Sequence, residues 1–181
     1  PSPETPPAEA DLPPLEARGH RTGNGRAVIT AVWMQSEGAH GNARIVTTGR
    51  PATLRVRWIA REPIAQATVG IAIKDRLGQE MFGVNTAYRE LPITDVAAGQ
   101  AIETTFQLAQ VNLGEGLYSV TAAVHEGTDH TRECYDWIEQ AMSFQVLPDP
   151  IEPWTGLCRI PIECSCAAVA AVMILNVSWS L

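Results

Sequence analysis

The chain has 181 residues, 45% of them hydrophobic, with 13 basic against 20 acidic side chains and a formal net charge of −7. That length and apolar share suit one folded domain with tails and exclude a chain disordered throughout. The acidic balance, with Lys74 as the single lysine, speaks against a nucleic-acid binder, which needs a basic face.

Residues 1–22 are dense in proline and acidic side chains and read as an extended, solvated linker. They show no basic start followed by an apolar run, so no signal peptide is expected. From Ala27 onward the pattern is one of strands and turns. Val28, Thr30 and Val32 alternate with Ile29, Ala31 and Trp33. Leu54, Val56, Trp58 and Ala60 alternate with Arg55, Arg57 and Ile59, which predicts Trp58 in a core. Arg55 and Arg57 then share the polar face, about 7 Å apart. Two guanidinium forks there suit sugar hydroxyls or an acidic sugar, and a solvated outer face accounts for them too.

The stretch Gly70 to Asn85 predicts a hairpin. Val69, Ile71 and Ile73 alternate with Gly70, Ala72 and Lys74. Asp75-Arg76-Leu77-Gly78 supplies turn chemistry, and Glu80 to Asn85 returns as a strand. Further strands are predicted at Ile102 to Leu108, Leu117 to Val124 and Met142 to Val146. Tyr118 shares a face with Val120 and Val124, so it is expected in the core. Runs of Gly, Pro, Asn and Asp separate these segments, and no long stretch has a 3.6-residue period. The expected fold class is all-β, an antiparallel β-sandwich of immunoglobulin-like or jelly-roll type with about eight strands.

His125 to Glu133 is not the H-E-x-x-H pattern of a zinc site, and it reads as a polar loop. Cys134, Cys158, Cys164 and Cys166 lack paired zinc-ligand spacing and read as buried or idle thiols, with no metal or other cofactor expected. Ile160 to Ile162 is a candidate strand. Cys166 to Val177 is apolar except for Asn176 and too short to span a bilayer as a helix, which takes about 20 residues.

Taken in order, Gly23 to Ile29, the Gly70–Asn85 hairpin, Gly116 to Val124, Tyr135-Asp136-Trp137 and Phe144-Gln145-Val146 resemble the C-terminal carbohydrate-binding domain of Wzt-type proteins. Those are ATPase subunits of ABC transporters that export O-antigen polysaccharide. The resemblance covers residues 23 to 147. With the linker composition of 1–22, it implies a carbohydrate-binding β-sandwich over 23–165 and an apolar tail over 166–181, which reads either as a buried strand or helix or as a segment covered by a partner copy, the swapped strand of the resembled family. It further implies a cytoplasmic, non-catalytic module that recognises the non-reducing end of O-antigen polysaccharide. A homodimer is implied, joined to the transmembrane transporter subunit through an ATPase domain. No G-x-x-x-x-G-K-[ST] phosphate loop occurs in the chain, so that ATPase domain is not expected within it.

Sugar binding asks for aromatic faces against pyranose rings and for fixed polar groups against hydroxyls. Tyr88, Asn85 and Arg89 emerge together at the exit of the hairpin and form the foremost candidate surface. Arg55, Arg57 and His125 are the other candidates. No nucleophile elbow is present, and no carboxylate pair is recognisable as catalytic. A dimerisation module that binds no sugar is the competing expectation.

Overall fold

Period-two alternation of branched apolar residues with small or polar ones is what a strand needs when one face is buried, and it recurs along this chain. A computed structural model describes residues 12–36, 43–127 and 133–166. They contain ten strands and no helix: β1 (Arg21–Thr22), β2 (Ala27–Ser36), β3 (Ile45–Thr47), β4 (Ala52–Ala60), β5 (Ile64–Asp75), β6 (Glu80–Asn85), β7 (Ile93–Val96), β8 (Ala101–Leu108), β9 (Gly116–His125) and β10 (Cys134–Leu147). The count exceeds the expected eight because β1, β3 and β7 are short additions at sheet margins. Two sheets form. The smaller runs β2-β4-β8, and the larger runs β1-β10-β9-β5-β6, with β3 pairing β10 and β7 pairing the start of β5. Every pairing is antiparallel except β3 with β10. The antiparallel β-sandwich expected from the alternation is therefore the fold.

The core lies between the sheets. Leu54, Val56 and Trp58 of β4 join one buried cluster with Val69, Ile71 and Ile73 of β5, Val120 and Val124 of β9, and Ile138 and Phe144 of β10. Trp58 and Tyr118 are buried as predicted. In β2 the alternation changes phase. A bulge between Ile29 and Ala31 adds one residue, so Ala27 and Ile29 are followed into the core by Val32 and Met34. One inserted residue flips every later side chain to the other face. Trp33 is thereby turned outward, under the Arg57 guanidinium at 5.6 Å.

The predicted hairpin forms with its expected bounds. Gly78 takes φ 82°, and the Asp75 carboxylate accepts the N–H groups of Leu77 (2.8 Å) and Gln79 (2.9 Å) across the turn. Ile160 to Ile162, by contrast, is not a strand but exposed chain. Pro161 offers no N–H to a ladder. The pairing falls earlier instead, where Leu113 and Cys158 form an isolated bridge. Cys158, Cys164 and Cys166 are exposed, while Cys134 is partly buried and its thiol is pushed up by that burial. The run 167–177 and the loop 128–132 lie outside the described residues. Residues 15–22 lie along β10: the N–H of Glu16 donates to the carbonyl of Ala141 (3.2 Å), and the N–H of Glu139 to the carbonyl of His20 (2.9 Å).

Two buried phenols make the fold sensitive to alkali. The Tyr118 hydroxyl donates to the carbonyl of Gly114 (2.9 Å), and that of Tyr135 to the carbonyl of Gln66 (3.2 Å). Burial raises both above the ordinary 10.0, aided by Asp75 for Tyr118 and by Glu126 and Glu133 for Tyr135. A phenol raised on folding adds stability that is complete below its unfolded pKa and lost as pH rises through the folded value. The urea midpoint is expected to fall above about pH 10, and Tyr118→Phe combined with Tyr135→Phe to flatten that fall. A midpoint unchanged through the alkaline range in the parent chain would count against this.

Candidate functional site

The outward face of the larger sheet carries a row of side chains that no core requirement explains. Trp137 of β10 lies opposite Ala123 of β9, Ala123 opposite Gly70 of β5, and Gly70 opposite Asn85 of β6. The row crosses four adjacent strands, a backbone span of about 14 Å. A second row, Thr121, Ala72 and Gly83, lies two residues further along. Small residues thus floor a groove of about 220 Å³, with Trp137 at one side and Asn85 and Tyr88 at the other. Core demand puts Val69, Ile71, Ile73, Val120 and Val124 inward, and strand alternation alone then turns Gly70, Ala72, Thr121 and Ala123 outward.

The polar wall is fixed by local hydrogen bonds. The Asn85 side-chain oxygen Oδ1 accepts the N–H of Tyr88 at 2.8 Å, which sets the turn that carries the tyrosine. Thr86 ties that turn to β5: its N–H donates to the carbonyl of Val69 (2.9 Å), and its hydroxyl accepts the N–H of Val69 (3.1 Å). Glu90, just beyond, holds φ 54° in the left-handed region. Tyr88 itself is 68% exposed, with its ring open to solvent beside the groove. His125 ends β9, buried, and its Nε2 is 4.0 Å from where a β-carbon on Gly70 would sit. Glu80 reaches over Gly83 from the open end. The arrangement offers an aromatic wall, a flat apolar floor, and amide, imidazole, hydroxyl and carboxylate groups at its edges. A ring with one apolar face and a rim of hydroxyls matches that chemistry.

Of the residues singled out from sequence, Asn85, Tyr88 and His125 line this one groove. Arg89 follows Tyr88 on the exposed turn and is not part of the lining. Arg55 and Arg57 lie on the other sheet, so they cannot act with the groove. Nor do they face open solvent: their side chains are 15% and 12% exposed. Arg55 Nη1 and Arg57 Nη2 donate to the two oxygens of Glu103, each at 2.6 Å, and Arg55 also donates to Gln35 (3.0 Å). Glu103 sits opposite Arg57 in the β4–β8 register, a partner that a single strand's alternation cannot reveal. Trp137 and the small-residue floor were the parts missed. The signal lay in Gly70, Ala72 and Ala123, small residues whose outward positions on neighbouring strands leave a hollow.

Among the described residues no group of three or more His, Cys, Asp or Glu is placed to hold a metal ion. No helix there is long and apolar enough to cross a membrane.

Comparison with known proteins agrees with this architecture. No curated protein sequence matches significantly. Among solved structures, the crystal structure of the C-terminal domain of Wzt superposes with a TM-score of 0.74 at 20% identity, covering 86% of this chain and 92% of that one. A Niemann-Pick type C2 protein from the Japanese carpenter ant (5% identity, 71% of this chain and 100% of that one) reaches a TM-score of only 0.44. The CARDB domain of the PF1109 protein from Pyrococcus furiosus (13% identity, 71% and 100%) reaches 0.39. The family model for the Wzt C-terminal domain matches residues 18–160. The chain belongs to the Wzt C-terminal domain family.

Proposed function

We propose that this chain binds polysaccharide, seating a sugar ring at the chain's non-reducing end in the groove between Trp137 and Asn85. Family membership supports a role in an ABC transporter subunit, where such a domain is a non-catalytic part. The observation that carries the sugar reading is the Trp137–Ala123–Gly70–Asn85 row, because it pairs an aromatic face with a fixed amide across a flat floor. Binding breaks no bond. The module captures O-antigen polysaccharide on the cytoplasmic side, and the ATPase domain of the intact subunit couples that capture to export through the transmembrane subunit.

The groove's glycine provides the test. A β-carbon on Gly70 would meet its nearest neighbours at 3.5–4.0 Å, ordinary van der Waals contact, so a small side chain fits without moving the backbone. Gly70→Val adds two γ-methyls beyond that β-carbon to fill the floor, and an unchanged urea midpoint is the check that the variant keeps the fold. Calorimetric titration with the source strain's O-polysaccharide should show heat for the parent chain and an affinity at least about tenfold weaker for Gly70→Val. Equal affinity in both would place the sugar elsewhere.

A further inference from the structure

We propose that the same sheet face carries a second subsite, adjoining the groove, that takes an anionic sugar residue bearing a carboxylate or phosphate; this rests on the polysaccharide reading above. A hollow of about 340 Å³ follows the groove along the strands, with Arg18, Lys74, Arg76, Ser119, Gln140 and Ser143 in its lining. Thr121 lines both hollows, so the two are contiguous. The register continues as well. Lys74, Ser119 and Ser143 form the next outward row after Ala72 and Thr121, about 7 Å along. A polymer seated in the groove by its end therefore runs its next units over this hollow.

The charge here departs from that of the molecule. In a chain of net charge −7, the single lysine and two arginines meet at one hollow, against Asp75 and Glu139 in the same lining. Arg76 is exposed and forms no ion pair among the described residues. Lys74 has only a long pair with Glu139, at 3.8 Å, and Arg18 a long pair with Glu16, at 3.7 Å. Both pairs are longer than a hydrogen bond, and Arg18 is 73% exposed, so an incoming anion can replace them. Asp75 competes weakly, since its carboxylate already serves the hairpin turn. Ser119 adds a hydroxyl on the floor, while the Ser143 hydroxyl beside it donates to the Glu16 carboxylate (2.7 Å).

The backbone is shaped around the hollow. The β9–β10 register shifts between Ile138 and Met142, and within that bulge Gln140 takes φ 51°. A non-glycine residue there is strained, and strain of this kind gathers at binding sites. The bulge brings Glu139 and Gln140 to the hollow's wall. Gly19 completes the arrangement. A β-carbon there would lie 2.7 Å from the Glu139 carbonyl oxygen, so a glycine lets the N-terminal segment approach closely enough to bring Arg18 to the rim.

The test uses glucose, glucuronate, glucose 6-phosphate and inorganic phosphate as separate probes, read by backbone amide shifts of the whole chain. Glucose is expected to move the Gly70, Ala123 and Asn85 signals only. One or both anionic sugars should also move Lys74, Arg76, Ser119 and Gln140, and which of them does so identifies carboxylate or phosphate as the preferred group. Lys74→Gln with Arg76→Gln should weaken that second response about tenfold and leave the glucose response intact, and about 1 M salt should weaken it too. Anionic sugars that perturb only the Gly70 groove overturn the second subsite and spare the sugar reading. Inorganic phosphate acting as strongly as the sugars also overturns it, showing a plain anion site. Silence from all four probes overturns the subsite, while the polymer titration above still decides the sugar reading.

Discussion

Trp137→Ala is expected to weaken polysaccharide binding by about thirtyfold, ~2 kcal/mol, with little change in the unfolding midpoint. The reasoning starts from position. Asp136 and Ile138 are buried on either side of Trp137 in β10, so the indole is turned to the outward face, half-buried, beside the Ala123 floor. An aromatic wall gives a sugar ring most of its apolar contact, and an alanine leaves the floor without a side. Because the indole is outside the core cluster, its loss removes little of the packing that holds the sheets together. Trp137→Phe should recover part of the affinity, since it keeps a smaller aromatic face. Unchanged calorimetric affinity in Trp137→Ala would remove the groove from consideration.

The second large effect concerns stability. Asp136 is buried, its side chain 6% exposed, and it joins three strands. Its carboxylate accepts Arg21 Nε (3.0 Å) and Nη2 (2.7 Å) from β1 and the backbone N–H of Ile29 (2.7 Å) from β2. Arg21 Nη2 also donates to the Ile29 carbonyl at 3.1 Å. This cluster ties the margin of the larger sheet to the bulged strand of the smaller one. Asp136→Ala is expected to cost about 3 kcal/mol in urea unfolding, because a buried N–H loses its partner and Arg21 loses its counter-ion. Arg21 is 39% exposed and regains some hydration, which keeps the loss from being larger. Arg21→Ala should cost at least as much, since it leaves the less exposed carboxylate without its cation. A loss below about 1 kcal/mol for either would mean that the cluster rests on packing and not on charge.

The legible part of this molecule was the part set by one strand at a time. Val69 to Ile73 and Glu80 to Asn85 announced the hairpin because alternation and turn chemistry are local, and the structure pairs Gly70 with Asn85 as expected, although β5 itself begins earlier, at Ile64. Trp58 and Tyr118 were legible for the same reason. Features that depend on two strands were not. The bulge in β2 reverses the face of Trp33, and nothing in Ala27 to Ser36 marks the extra residue. Arg55 and Arg57 looked like a free cationic pair because Glu103, which holds both, comes from β8. Half of the candidate site was readable at the hairpin's exit, where Asn85 and Tyr88 leave the sheet. Its other half, Trp137 and Ala123, becomes part of the site only when β10 and β9 are laid beside β5, and no spacing along the chain encodes that order.

The central claim is that a sugar occupies the outward face of the larger sheet. Titration of the whole chain with the source strain's O-polysaccharide, followed by backbone amide shifts, tests it most directly. Saturable shifts confined to Gly70, Ala72, Ala123, Asn85, Tyr88 and the Trp137 indole are the predicted result. Shifts centred on Arg55, Arg57 and Glu103 of the opposite sheet, or none on either sheet at saturating polymer, would contradict it.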